Sequence, residues 1–160
     1  MSKATSQDLI EQLKETITDN LDDPNPDRNV GRDWVQTTPV NYQIDTNPRI
    51  HIHKNPSDHE ALSIGRTERE KLQGIQINFF HSTGEGYNLD IDDDGELEQP
   101  YKVLDYLVNE IETIVNSNQD VWCNLGDNIW SVVTVTDRPL ETEKNSMIGH
   151  VLELELRYNS

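Results

Sequence analysis

The chain has 160 residues with 30 acidic and 13 basic side chains, giving a formal net charge of −17, and only 33% of it is hydrophobic. That length suits one domain, 1–160, while the charge argues against a free-standing nucleic-acid binder and against adsorption to an anionic membrane, both of which rely on Lys and Arg. No apolar run approaches the ~18 residues of a membrane span, and the single cysteine, Cys123, excludes an intrachain disulfide and a cysteine-based zinc site.

Low hydrophobicity with high charge is also the composition of disordered chains, but here the apolar residues fall into periodic blocks. Residues 1–5 are expected to be a flexible N-terminus. Thr5 and Asp8 then have the spacing of a capping box, and Leu9, Ile10, Leu13, Ile17 and Leu21 recur at helical intervals, which predicts a helix over 6–21. Asp22-Asp23-Pro24-Asn25-Pro26 ends it. Residues 22–48 form a Pro-rich stretch too long for an ordinary loop. It is either a surface meander pinned by Trp34, with a strand where Val40, Tyr42 and Ile44 alternate, or an extended arm that reaches a neighbouring subunit.

Ile50 and Ile52 alternate with His51 and His53, which predicts a strand, and 54–71 reads as a polar connection. Ile75, Ile77 and Phe79, then Tyr87, Leu89 and Ile91, alternate on either side of Ser82-Thr83-Gly84-Glu85-Gly86, which predicts a β-hairpin over 74–91. An acidic loop leads to Pro100, a residue suited to the first helical turn. Tyr101, Leu104, Leu107, Val108, Ile111, Ile114 and Val115 then form one apolar stripe that Asn116-Ser117-Asn118 ends. After a loop carrying Trp122 and Gly126, strands are predicted over 128–136 and 148–158; in the latter, His150, Leu152, Leu154, Leu156 and Tyr158 share a face. The order is α-β-β-β-α-β-β. Strands with one apolar face each, and no sustained βαβ alternation, predict an α+β fold: an antiparallel or mixed sheet with two helices packed on one face.

Asp90-Ile91-Asp92-Asp93-Asp94-Gly95-Glu96 fits the start of a calcium loop, with Asp90, Asp92, Asp94 and Glu96 as oxygen donors and Gly95 at the sharp turn. Position twelve, a bidentate glutamate in an EF-hand, is Tyr101, and the preceding element is a strand. Calcium is therefore a possible cofactor, completed by Glu98 or an acid from elsewhere; the alternative is a solvated acidic turn. His51 and His53 form an H-x-H pair, but no third metal ligand is evident in the sequence. Cys123 has no motif around it, and no G-x-S-x-G, P-loop or G-x-G-x-x-G is present. No catalytic residue is assigned, and an enzyme is not expected. Residues 49–71 run against the general acidity, with Arg49, Lys54, Arg66, Arg69 and Lys71 against Asp58, Glu60, Glu68 and Glu70. Either this is an ordinary mixed-charge loop, or Arg49, Lys54, Arg66 and Arg69, with Trp34 and Tyr42 of the arm, are the candidate subunit-interface residues.

Taken together, three features point to a family. They are the element order, the strand Arg49-Ile50-His51-Ile52, and the helix with Tyr101 and Leu104-Asp105-Tyr106-Leu107 followed by Leu152-Glu153-Leu154-Glu155-Leu156-Arg157-Tyr158. The pattern resembles the tail terminator, or tail-completion, proteins of long-tailed phages and archaeal viruses. The resemblance implies a subunit of a homo-oligomeric ring, usually a hexamer, in the virion neck. Such a ring ends the tail tube, contacts tail-tube and connector proteins, meets DNA only in transit and has no catalytic residues. The surplus of acid over a scarce six lysines also resembles proteins of extreme halophiles, so a virus of a haloarchaeon would unite the two features. A different neck protein (stopper or head-completion) and a small calcium-dependent binding module are the alternatives.

Overall fold

The computed structural model describes residues 4–25, 34–37, 47–61, 70–83, 85–91, 94–127, 129–140 and 147–159. The first helix, α1, spans Ser6–Asn20. Its capping box forms as the sequence predicts. The Asp8 N–H donates to Thr5 Oγ1 at 3.2 Å and the Thr5 N–H donates to Asp8 Oδ2 at 2.7 Å, and these bonds hold the Asp8 carboxyl below its ordinary pKa. Leu9, Ile10, Leu13 and Ile17 are buried along one stripe, and Leu21 closes the end with its N–H on the Ile17 carbonyl.

Five strands follow: β1 (Val35–Gln36), β2 (Arg49–Ala61), β3 (Glu70–Ser82), β4 (Ile129–Leu140) and β5 (Met147–Asn159). The helices α2 (Pro100–Ser117) and α3 (Gln119–Cys123) lie between β3 and β4 in sequence. The sheet order is β1-β2-β3-β5-β4. The β1–β2 pair is parallel and the others are antiparallel, so the sheet is mixed.

Register explains the core. Ile50 lies opposite Phe79, Ile52 opposite Ile77, Ile77 opposite Leu152, and Ile75 opposite Leu154. Side chains at paired positions share a face, so these residues form a continuous apolar surface, and all are buried. α1 packs on β1 and β2 and α2 packs on β3, β4 and β5, with the two helices touching. From α2, Val103, Leu104, Leu107, Val108, Ile111, Ile114 and Val115 enter this interior. Each such side chain contributes roughly 1.5–3 kcal/mol by burial. The α+β class and the placement of two helices on one face are as the sequence predicts.

The strand boundaries differ from expectation in instructive ways. β2 and β3 take up both flanks of the predicted 54–71 connection. Their pairing is irregular between Lys54 and Asp58, the stretch containing Pro56, which cannot donate to a ladder and so hides the strand from a sequence reading. The predicted 74–91 hairpin forms only in its first half. β3 is flanked by β2 and β5, so Tyr87-Leu89-Ile91 has no free edge to join. Glu85–Tyr87 instead makes one turn of 3-10 helix, and Leu89 pairs with Glu98 alone. Among the described residues there are still three strands between α1 and α2, but β1 stands where the strand expected at 87–91 was counted. Trp122, expected in a loop, is fully buried on α3 with its indole N–H on the Val115 carbonyl at 2.9 Å. The alternation of Val40, Tyr42 and Ile44 lies outside the described residues.

Candidate functional site

The acidic loop is organised by its own carboxylates. Leu89 and Glu98 exchange backbone hydrogen bonds of 3.0 and 2.7 Å, which close the loop at its base. Asp90 then accepts from the Asp94 N–H at 3.2 Å and the Gly95 N–H at 2.9 Å. Gly95 has φ of +84°, a conformation open to glycine without strain. Asp94 accepts from the Glu96 N–H at 2.8 Å. The result brings one carboxylate oxygen each from Asp94, Glu96 and Glu98 within 4.8 Å of one another. Asp90 therefore shapes the loop, and Glu98 joins Asp94 and Glu96 in the cluster; Asp92 lies outside the described residues. Such oxygens could hold a hard cation. Glu98 is also paired with Lys102 at 3.5 Å.

The six expected interface residues separate. Trp34 and Arg49 are buried in the chain's own fold. The Trp34 carbonyl accepts from the Ile50 N–H at 2.8 Å, which ties β1 to β2. Lys54 is exposed. Tyr42, Arg66 and Arg69 lie outside the described residues.

Arg49 opens a buried polar patch on the sheet face opposite the helices. Its Nη2 is 3.5 Å from His51 Nε2, and the His51 ring meets Phe80 edge-on at 5.6 Å. Burial, then the positive charge of Arg49, then His53, pull the His51 pKa down to about 4, so this imidazole is neutral at pH 7. No third metal ligand joins His51 and His53 among the described residues. Nearby, Asn47 donates to Ser82 Oγ at 2.9 Å and accepts from the Ser82 N–H at 3.0 Å, which fastens the start of β2 to the end of β3.

Two further features were not legible in the sequence. The first is a clasp on the outermost strand, β4. The Gln119 side chain donates to the Val132 carbonyl at 2.6 Å and accepts from the Val132 N–H at 3.2 Å, as a neighbouring strand would. Next to it, the Cys123 thiol donates to the Trp130 carbonyl at 3.2 Å. Register shifts fall between Ile129 and Ser131 and between Thr134 and Thr136, and the intervening Trp130 and Val135 are exposed at 48% and 57%. Pro139 removes a donor further along. A capped, bulged, proline-bearing edge resists pairing with another strand.

The second feature is a groove of about 430 Å³ between the start of α2 and the β4–β5 hairpin. Tyr101, Leu104 and Asp105 form one wall, and Leu140, Ile148 and His150 the other. His150 Nε2 is 3.0 Å from Asp137 Oδ1. The signal in the sequence was slight: His150 continues the apolar face of β5 where a leucine would complete it.

Compared with models of known protein families, the sequence matches none. Comparison with curated proteins likewise finds no match.

Proposed function

We propose that the chain is a structural subunit of a ring at the head–tail junction of a long-tailed virus, acting as a tail terminator. The observation that supports this reading is the layering. Two long helices cover one face of a five-stranded mixed sheet, in an element order that roughly matches the expected one. In this role the protein binds copies of itself, the end of the tail tube and the connector, and DNA passes it only in transit. Acidic surfaces suit a conduit, because carboxylates repel passing phosphates. They also set the conditions for assembly. At about 1 M salt the Debye length is roughly 3 Å, so repulsion between chains of charge −17 is largely screened. Negative-stain electron microscopy of the purified protein in molar KCl should show closed rings. A monomer at every salt concentration, with no binding to tail tubes, refutes the proposal.

The Asp94, Glu96 and Glu98 cluster favours a second reading, a calcium-dependent binding module. Titration calorimetry with Ca²⁺, repeated on Asp94→Ala, decides it: heat that disappears in the variant supports the module, and no heat from the parent chain removes it.

A further inference from the structure

We infer that the Asp94–Gly95 peptide is a site of spontaneous covalent rearrangement, through a succinimide to isoaspartate, and that the Asp90 carboxylate restrains it. The site stands whether or not the chain forms a ring.

Asp94-Gly95 is the only Asp-Gly pair in the chain, and no Asn-Gly pair occurs. The pair matters because glycine has no side chain to hinder its own backbone nitrogen. That nitrogen can attack Cγ of the preceding aspartic acid. An N–Cγ bond forms, the amide proton and the carboxyl hydroxyl leave as water, and a succinimide ring remains. Water then reopens the ring. Attack at Cγ restores Asp94, whereas attack at the backbone carbonyl carbon routes the chain through the side chain as isoaspartate. One water is released and one taken up, so no other reactant is needed.

The loop both exposes the reacting groups and holds them. Asp94, Gly95 and Glu96 are exposed, and a Cβ at Gly95 would meet nothing within 4 Å. Asp94 Oδ1 accepts from the Glu96 N–H at 2.8 Å, and the turn closed by this bond contains both Cγ and the Gly95 nitrogen. Asp90, half-buried, opposes the reaction. Its Oδ2 accepts from the Gly95 N–H at 2.9 Å and its Oδ1 from the Asp94 N–H at 3.2 Å. One carboxylate thus fixes the peptide units on both sides of Asp94. The rotation that carries the Gly95 nitrogen onto Cγ strains these bonds. The nitrogen must also lose its proton to attack, and an anion beside the N–H keeps that proton in place. Once Asp94 rearranges, the backbone gains a carbon where Asp94, Glu96 and Glu98 converge, and the cluster is lost.

The test incubates the full-length protein warm at mildly acidic pH. Peptide mapping with electron-transfer fragmentation then locates the β-linked residue, and circular dichroism checks that each variant folds. The parent should accumulate isoaspartate at Asp94 slowly. Asp90→Ala should do so about fivefold faster or more, the factor that corresponds to about 1 kcal/mol for the lost restraint. Asp90→Asn, which keeps one acceptor but no charge, should fall between them. Adding Asp94→Glu to Asp90→Ala should abolish the product, because glutamate must close a larger ring. In urea the parent and Asp90→Ala should react alike, since the restraint belongs to the folded loop. A slower reaction in the Asp90 variants makes Asp90 a base and overturns the restraint, as does a gap that persists in urea. No isoaspartate at Asp94 even in urea overturns the site itself.

Discussion

The clasp by Gln119 makes a quantitative prediction. In Gln119→Ala the side chain loses its bonds to Val132 N–H and C=O and to the Val115 carbonyl, which are 3.2, 2.6 and 3.1 Å long. Val115 keeps a donor in the Trp122 indole, so that loss is small. Val132 is different: its side chain is fully buried, and both of its backbone groups are directed at Gln119, away from β5. A net hydrogen bond contributes about 1 kcal/mol, and a buried group left without one costs about 1–3 kcal/mol. Water can reach part of an edge strand, so the expected loss is about 2–3 kcal/mol. For a domain of this size that lowers Tm by roughly 5–10 °C. Thermal and urea unfolding measure it. Gln119→Glu sharpens the test, because its carboxylate can still accept from Val132 N–H but repels the Val132 carbonyl. It should be at least as destabilised as the alanine variant at neutral pH. A loss below about 0.5 kcal/mol in both variants would refute the clasp, since that is the range of ordinary surface changes.

Two other predictions follow from buried groups. His51 titrates near 6.5 when unfolded and near 4 when folded, so below pH 6.5 the unfolded chain binds the extra proton; stability should fall as pH drops from 6.5 to 4, by at most about 3 kcal/mol, and His51→Gln should flatten that part of the pH profile in urea melts. Trp122→Ala removes a fully buried ring that joins α3 to α2 and should cost about 3–5 kcal/mol by calorimetry, with Trp122→Phe costing clearly less.

Periodicity carried most of the fold. The stripes of α1 and α2 and the alternation of Ile75-Ile77-Phe79 and Leu152-Leu154-Leu156 predict elements that form, because each buries the face it advertises. Alternation at Tyr87-Leu89-Ile91 misleads because local pattern cannot show that both edges of β3 are already taken. β1 is only two residues long, too short to have a period, and depends on Ile50 for its pairing. The site was less legible for a similar reason. The spacing of Asp90, Asp94 and Glu96 places them in one loop, and only the Leu89–Glu98 bridge brings Glu98 into the cluster. Gln119 and Val132 are thirteen residues apart and neither is unusual in sequence. Arg49 stands out in sequence as a cation in an acidic chain, yet its place on β2 puts it in the interior.

The Cys123 thiol has a use beyond its hydrogen bond. It is the only cysteine in the chain, half-buried, and held against the carbonyl of Trp130 where α3 lies on β4. Because it is partly exposed, an alkylating reagent can reach it in the folded chain, and labelling that quickens under mild denaturant would report loosening of α3 from the strand without any engineered probe.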